Sequence, residues 1–477
     1  MRRRRPQVAS LTRAEHVHFV GLGGIGVSAL ARILMQRGHR VSGSDLKDSP
    51  LLDRLRHEGA EVFIGHDAVQ VGDAGLVVTT AAAASDNPEL VEARRRRLPV
   101  MKRAEFLGLL MEESYGIAVA GSHGKTTTSA AIGYVLYRAG LDPTILVGGE
   151  MVDFDDVNAR LGQGRHLVAE ADEYDASFLQ LRPRLALVTN VEPEHLDFYG
   201  SFEKELETFA SFLGQVPSDG AVVLCFDDPA LRELTKREPS PWSATTITYG
   251  FHPDAQWRAS DWEQDKDGGY AFTVSHRGRP IDRFQFAIPG LHNVQNALGV
   301  VAAGSYLAIG LAHIRTALAG FRGVRRRFEV KGEADGIVVV DDYAHHPTEV
   351  RATLATARQR FQGKRLVCLF QPHTYSRTKL LLEEFSTCFE DADVVLIADI
   401  YPARERYEEW PITARDLAAA VRHLHVRYVG SLEEALPAVE EVLRRGDVFL
   451  TMGAGEADQV GEAVLSSRRA ARSEGRL

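Results

Sequence analysis

The sequence predicts an α/β protein of three domains, each built on an open, mostly parallel sheet. Three observations predict it. The chain of 477 residues is longer than one hydrophobic core usually serves, and at about 150 residues per domain it divides into roughly three. Short runs of apolar, often β-branched residues alternate with helix-like stretches, the pattern of parallel sheets with crossover helices. That alternation restarts three times, at His16, at Gly116 and at Gly336.

Composition bounds the functional classes. With 44% hydrophobic and 25% charged residues the chain is an ordinary folded, soluble protein. A net charge of -9 argues against a general nucleic-acid binder, which needs clustered positive charge. The arginine runs at residues 2–5 and 94–97 read as solvated stretches at a terminus and a helix end. The first run looks like the start of a secretion signal, but polar residues follow it where an apolar segment would be needed. No run of about 18 apolar residues occurs, so no membrane partner is expected. Cys225, Cys368 and Cys388 are odd in number and scattered, which fits neither a disulfide framework nor a zinc site. A reducing, cytoplasmic location follows.

The first domain, 1–108, opens with the strand His16–Val20, a glycine-rich turn, a helix to Gly38 and a strand at 40–42. Gly21-Leu22-Gly23-Gly24-Ile25-Gly26 is G-x-G-x-x-G between strand and helix, with Asp45 near the end of the next strand. Glycines let the backbone approach a diphosphate at the positive helix N-terminus, and the acid can accept a ribose hydroxyl. Alone this favours NAD, with tight strand-to-helix packing as the plain alternative. The chemistry specifies a diphosphate and leaves its nucleotide open.

The second domain, 109–322, begins with a strand at 116–120 and the loop Gly121-Ser122-His123-Gly124-Lys125-Thr126-Thr127-Thr128. Backbone amides there can hold phosphate oxygens, Lys125 can neutralise the β/γ-phosphates and the Thr126 hydroxyl can reach a magnesium ion. Val119 stands where a strict P-loop has its first glycine, and a glycine-rich helix entry is the bland alternative. A helix at 127–139 and strands at 167–169, 185–189 and 221–224 follow. An antiparallel edge is expected over 240–288, with a turn at 266–269, and a helix at 293–308 closes the domain.

Two acidic segments end strands in this domain, 170–175 with Glu170 and 190–197 with His195. In a parallel sheet that edge is the ligand crevice, so carboxylate and imidazole there can hold the magnesium that ATP chemistry needs. Acidic surface loops are the competing reading.

The third domain, 323–477, offers strands at 336–340, 365–370, 394–398 and 448–451. Residues 341–349, with Tyr343 and His345, end one strand, and 373–377, ending in Arg377, follow the next. Adjacent His345 and His346 point apart on an extended chain, which disfavours zinc. Polar groups converging at neighbouring strand ends make a carboxylate pocket, with Arg377 as bidentate partner. Arg326, in the run Arg325-Arg326-Arg327-Phe328-Glu329, can contact phosphate or solvate a hinge.

Taken in order, Gly-Gly-Ile-Gly, Ser44-Asp45, Gly-Ser-His-Gly-Lys-Thr-Thr-Thr, Glu-Ala-Asp-Glu, Glu-Pro-Glu-His-Leu-Asp, Leu291-His292-Asn293, Arg-Arg-Arg-Phe-Glu, Asp-Asp-Tyr-Ala-His-His-Pro and His-Thr-Tyr-Ser-Arg-Thr resemble the motifs of the Mur ligase family, from about His16 to Gly455. Each is loose alone; nine in one order are specific. The resemblance implies Rossmann-like outer domains around a P-loop ATPase-like centre. It moves the first loop from NAD to a UDP-sugar, held by Gly23, Gly24, Ile25, Gly26, Ser44 and Asp45. It implies ATP on Gly121 to Thr127, with His292, Asn293 and Asn296 on the nucleotide, and Mg2+ held by Thr126, Glu170 and His195. Lys125, His195 and Glu170 are the implied catalytic groups, while Arg326, Tyr343, His345 and Arg377 would bind the other substrate. The alanine-adding branch fits best. The implied reaction activates the lactyl carboxylate of UDP-N-acetylmuramate as an acyl phosphate, which the amine of L-alanine attacks in a closed, monomeric or weakly dimeric enzyme. Tyr174, in place of the serine common in that branch, points to a tripeptide-recycling ligase as the runner-up, with a dehydrogenase as the rival of another class. No lysine is assigned to carbamylation; Lys204 is the one nearby.

Overall fold

The structure is a computed structural model that describes residues 14–403 and 405–473, so the arginine run at 2–5 lies outside the described residues. The described residues pack into two compact units, one drawn from Met1–Ser260, Thr273–Phe284 and Gln295–Phe321, the other from Asp261–Phe272, Gln285–Val294 and Arg322–Leu477.

The first unit begins with a five-stranded sheet of β1 (His16–Val20), β2 (Arg40–Asp45), β3 (Glu61–Ile64), β4 (Leu76–Thr79) and β5 (Val100–Lys102). Its order is β3-β2-β1-β4-β5 and every pairing is parallel, as the Rossmann-like expectation requires. β2 runs to Asp45, three residues beyond the predicted strand, so Ser44 and Asp45 belong to its C-terminal end. The helix Pro88–Arg95 ends in the second arginine run, where Arg94 donates to Ser85 O (2.6 Å) and Arg96 to Gly72 O (2.6 Å).

The central sheet comprises β6 (Tyr115–Ala120), β7 (Thr144–Met151), β8 (Val157–Arg160), β9 (His166–Glu170), β10 (Leu185–Val188), β11 (Ala221–Cys225), β12 (Thr245–Gly250), β13 (Trp257–Gln264), β14 (Tyr270–His276) and β15 (Arg279–Phe286). The order is β15-β14-β13-β12-β11-β10-β6-β9-β7-β8, with β6, β9, β10 and β11 in the middle, buried throughout apart from the strand ends. Strands buried on both faces read as continuous apolar runs, which is why the sequence shows them. β7 and β8 pair antiparallel and do not stand out in the sequence, because Gly148, Gly149 and Glu150 interrupt the apolar run of β7 and β8 is four residues long.

One buried polar latch ties the first two sheets into a single unit. Asn158 on β8 donates to Ile25 O (2.6 Å) and to Ser28 Oγ (2.9 Å), and its oxygen accepts from Arg32. Arg32 is 2% exposed and also reaches Glu58, so an arginine in the middle of the helix Ile25–Gln36 is buried fully paired.

The second unit carries β16 (Glu329–Ala334), β17 (Ile337–Asp342), β18 (Leu366–Phe370), β19 (Val394–Ala398), β20 (Val426–Gly430) and β21 (Val448–Met452). The order is β16-β17-β21-β18-β19-β20, parallel except for the hairpin of β16 with β17. Alternate residues serve opposite cores: Val338, Val340, Cys368 and Phe370 on one face, Ile337, Val339, Val367 and Leu369 on the other. All three cysteines are buried free thiols, and among the described residues no helix is long and apolar enough to cross a membrane.

Candidate active site

The apolar strand β6 delivers the chain into a loop that only glycine could close at two points. Gly121 (φ +129°) and Gly124 (φ +81°) have left-handed backbones, and a Cβ on Gly121 would stand 2.2 Å from Thr189 Oγ1. The loop is laced to the segment after β10: His123 N donates to Asn190 Oδ1 (2.8 Å), Thr189 Oγ1 to His123 O (2.5 Å) and Glu192 N to Ser122 Oγ (2.9 Å). The helix Lys125–Arg138 starts here, two residues earlier than predicted, so Lys125, Thr126 and Thr127 form its first turn.

Lys125 Nζ donates to Gly121 O (2.5 Å), Ser122 O (3.1 Å) and Glu173 Oε1 (2.8 Å). Burial alone would push its pKa down, but the carboxylates of Glu173, Glu194 and Glu170 outweigh it and hold the ammonium above the ordinary lysine range. Burial pushes the Glu173 carboxyl up, opposed by Lys125. Thr126 Oγ1 donates to Glu170 Oε2 (2.9 Å), which also accepts from Gly148 N (2.8 Å).

His195, expected in a metal set with Thr126 and Glu170, directly precedes the short helix Leu196–Tyr199. It has a left-handed backbone (φ 54°) and offers Nε2 to Glu173 Oε1 at 3.8 Å and Glu194 Oε1 at 4.0 Å. Ligand atoms of Glu173, Glu194 and His195 all lie within 4.8 Å of one another. Glu173 Oε2 is buried without a hydrogen-bond partner. A buried carboxylate oxygen left this way beside a second carboxylate and an imidazole suits a divalent cation. Tyr174, the unusual residue of its motif, packs edge-on against the His195 ring with centroids 4.9 Å apart.

At the first loop, Gly21 N and Leu22 N both donate to Ser44 O (2.9 Å each) and Gly23 N to Asp45 Oδ2 (2.8 Å). Gly24 caps the helix Ile25–Gln36. A Cβ on Gly26 would meet the Arg103 guanidinium at 3.0 Å, so a cation not expected from the sequence stands beside this glycine loop. The Ser44 side chain corrects the prediction: it is fully buried and donates to Glu89 Oε2 (2.7 Å), so it supports the loop from within.

In the second unit, Tyr343 lies between the guanidinium groups of Arg326 (5.2 Å) and Arg327 (5.0 Å). Its ring meets His345 edge-on (5.5 Å), His345 meets His373 (5.6 Å) and His373 stacks on Tyr401 (5.8 Å). Arg377 Nη1 donates to His373 O (2.5 Å). Glu405 holds the 373–377 segment, accepting from Thr374 Oγ1 (2.6 Å), Ser376 N (2.8 Å) and Ser376 Oγ (2.5 Å). Arg326 departs from its predicted role: its nitrogens are committed to Asp341 Oδ2 (3.0 Å), Gly455 O (2.9 Å) and Gly453 O (2.9 Å), which makes it a brace of the strand ends. The helix Leu291–Tyr306 is shared by the two units, so its predicted nucleotide contacts divide. Asn296 lies against the P-loop, where a Cβ on Gly124 would come within 2.8 Å of its Oδ1. Asn293 Nδ2 instead donates to Pro289 O (2.7 Å) and meets His292 Nε2 at 3.1 Å.

Three family models match the chain in this order: Mur ligase family, catalytic domain, over residues 16–115; Mur ligase middle domain over 119–304; and Mur ligase, glutamate ligase domain, over 326–455. The chain belongs to the Mur ligase family. A UDP-N-acetylmuramate–L-alanine ligase of Geobacter sp. strain M21 is 46% identical over 96% of this chain and 99% of its own. That of Caldanaerobacter subterraneus subsp. tengcongensis is 42% identical over the same shares. Among solved structures, a UDP-N-acetylmuramate–alanine ligase from Thermotoga maritima matches with a TM-score of 0.80 at 30% identity, covering 96% of this chain and 99% of that one. A murein peptide ligase from Psychrobacter arcticus matches with a TM-score of 0.74 at 25% identity, covering 95% and 98%.

For a Mur ligase, the three-domain α/β expectation holds. Glu173, Glu194, Arg103 and Glu405 are the site residues that motif reading left without a role. Glu173 and Glu194 stood inside quoted motifs, but only the fold shows which carboxylate faces Lys125.

Proposed function

We propose that this Mur ligase joins L-alanine to the lactyl carboxylate of UDP-N-acetylmuramate at the expense of ATP, giving UDP-N-acetylmuramoyl-L-alanine, ADP and phosphate. The observation that carries this reading is near full-length similarity to relatives that bear that activity in their names. In this reading the domains 1–108, 109–322 and 323–477 hold the sugar nucleotide, ATP and the amino acid respectively, in a cytoplasmic enzyme without nucleic-acid or membrane partners.

ATP would lie on the 121–127 loop, its phosphates facing the helix N-terminus and Lys125. Charge moves onto the transferred oxygens during phosphoryl transfer, and an ammonium already buried and pre-aimed stabilises it without reorganisation. Thr126 and Glu170 on one side, and Glu173, Glu194 and His195 on the other, are the residues that would hold magnesium. The ion would neutralise phosphate charge. The lactyl carboxylate, activated as an acyl phosphate, is then attacked by the alanine amine, and Arg377 would orient the alanine carboxylate. Water must be kept from the acyl phosphate, which calls for domain closure before chemistry.

Phosphate release by purified protein with Mg-ATP tests the reading. Release that requires both UDP-N-acetylmuramate and L-alanine, with the alanyl product seen by mass, is the expected result. Release with a tripeptide in place of alanine would assign a recycling ligase, and release needing neither acceptor nor sugar nucleotide would overturn the ligase reading.

A further inference from the structure

The first domain holds a buried polar chain that no role so far assigned explains. Glu89, near the start of the helix Pro88–Arg95, is fully buried, as are His18 and Ser44, while Ser42 is 1% exposed. Glu89 Oε1 lies 3.0 Å from His18 Nε2; Oε2 lies 2.7 Å from Ser44 Oγ and 2.8 Å from His66 Nδ1, and Ser44 Oγ and His66 Nδ1 are themselves 3.0 Å apart, so an Nδ1–H there can be shared between the carboxylate and the hydroxyl oxygen. The chain continues from His18 Nδ1 to Ser42 Oγ (2.8 Å), and from Ser42 Oγ to His16 Nε2 (2.7 Å). His16 Nδ1 then lies 2.8 Å from both Arg40 Nη2 and Asp73 Oδ1, and Arg40 also pairs with Asp73.

A carboxylate only accepts, so all three partners of Glu89 must donate to it. That makes His66 the Nδ1–H tautomer, commits the Ser44 proton inward and makes His18 the Nε2–H tautomer. His18 Nδ1 then accepts from Ser42, whose oxygen accepts from His16 Nε2–H; His16 Nδ1 meets both a donor, Arg40, and an acceptor, Asp73. One carboxylate thus sets the direction of the hydrogen bonds from His18 through Ser42 to His16 Nε2. At the far end His66, 19% exposed, keeps Nε2 as an acceptor.

His66 stands two residues beyond β3, and Gly65 N donates to Asp45 O (2.8 Å). Sheet order places β1 with its diphosphate loop, β2 with the ribose-type acid Asp45 and β3 with His66 side by side. Two strand spacings span roughly 10 Å, about the reach from a nucleotide diphosphate to its base. Leu46, 72% exposed beside Asp45, adds apolar surface at that edge.

We propose that Glu89 is a positioning residue for sugar-nucleotide binding, holding His66 as the Nδ1–H tautomer so that Nε2 accepts a hydrogen bond from the imide N–H of a uracil base. This rests on the reading of the first domain as the UDP-sugar site. A cytosine ring has an acceptor at that position and would face lone pair with lone pair, so the device also selects the base.

Imidazole NMR of the whole enzyme, with calorimetry for UDP-N-acetylmuramate, tests it. In Glu89→Gln one accepting oxygen becomes a donor, so the His66 tautomer should shift toward Nε2–H, and sugar-nucleotide affinity should fall about tenfold. The KM values for ATP and L-alanine should stay put. His66→Asn keeps a donor for Glu89 but lacks the outer acceptor; it should lose the same factor, and the double variant no more. A His66 that already carries its proton on Nε2 in the wild type would overturn the proposal, as would a tautomer shift without loss of affinity, or equal affinity for the cytidine analogue. Wild-type protein that binds no UDP-N-acetylmuramate, with the Nδ1–H tautomer intact, would instead overturn the reading of the first domain.

Discussion

Lys125 Nζ lies 2.8 Å from Glu173 Oε1, with the Glu173 side chain only 2% exposed, so the ammonium of the glycine loop is held by a buried carboxylate. The pair stores a cation in a dry place at fixed position, ready for an anion.

Lys125→Ala should therefore remove a transition-state charge partner that nothing nearby replaces, and kcat/KM for ATP should drop on the order of 10³-fold. Glu173 is left behind, but burial already pushes its carboxyl up, so it can take a proton instead of remaining an uncompensated charge. The melting temperature at neutral pH should fall by only a few degrees. Steady-state kinetics with thermal melting checks both; an active alanine variant would remove Lys125 from the chemistry.

Thr126 Oγ1 and Gly148 N both donate to Glu170 Oε2, which aims that carboxylate at the helix start. Thr126→Val keeps the shape and deletes the hydroxyl, so the magnesium concentration for half-maximal activity should rise about tenfold. A magnesium titration at saturating ATP reads it. An unchanged midpoint would show that Thr126 does not serve the ion.

The two glycine loops are legible because their chemistry is local: glycines at left-handed positions, an adjoining strand and a following helix are all neighbours in sequence. The parallel strands are legible for the same reason, as unbroken apolar runs. What distant segments bring together is not. Glu173 and Glu194 could be named as acidic, but their shared cluster with His195 depends on how β9 and β10 are aligned in the sheet. Ser44 looked like a ligand contact because it precedes Asp45, whereas strand alternation turns its side chain inward to Glu89, 45 residues away. Arg326 similarly reads as a free cation until the 453–455 carbonyls, 127 and 129 residues on, are seen to bind it.

Glu405 accepts three hydrogen bonds from the segment that carries Arg377. Glu405→Ala leaves Ser376 N and one of the Thr374 and Ser376 hydroxyls, which lie 3.0 Å apart and can still bond each other, without an acceptor, at roughly 1–3 kcal/mol each. The segment should loosen, raising the KM for L-alanine at least several-fold while the KM for ATP changes little. Equal effects on both substrates would mean general destabilisation instead of a local role.

Asn158→Ala takes away two donors and the acceptor for Arg32, which stays buried on the other side of the latch. An unsatisfied buried group costs about 1–3 kcal/mol, so stability should fall by roughly that amount or somewhat more. Urea unfolding at fixed pH measures it. Arg32→Met also gives up the Glu58 pair, and the double variant should fall short of the sum of the two losses, because the Arg32–Asn158 contact is common to both.

His16 contributes its own pH dependence to stability. Burial, helped by Arg40, pushes its pKa down from 6.5 to about 4. In the unfolded chain the ring takes a proton near its ordinary pKa, while in the folded domain it resists until much lower pH. As pH falls through this window the unfolded state binds more protons, so stability present above about 6.5 is lost progressively toward 4. His16→Gln removes the titration and can still place an amide donor toward Ser42 Oγ, which His16 Nε2 approaches at 2.7 Å. Urea midpoints at pH 7.0, 5.5 and 4.5 should thus fall less steeply for the variant than for the wild type, with the two curves converging toward the acid end. Parallel curves across that range would mean that His16 takes up its proton folded as readily as unfolded, and that the buried chain running to Glu89 does not hold it neutral.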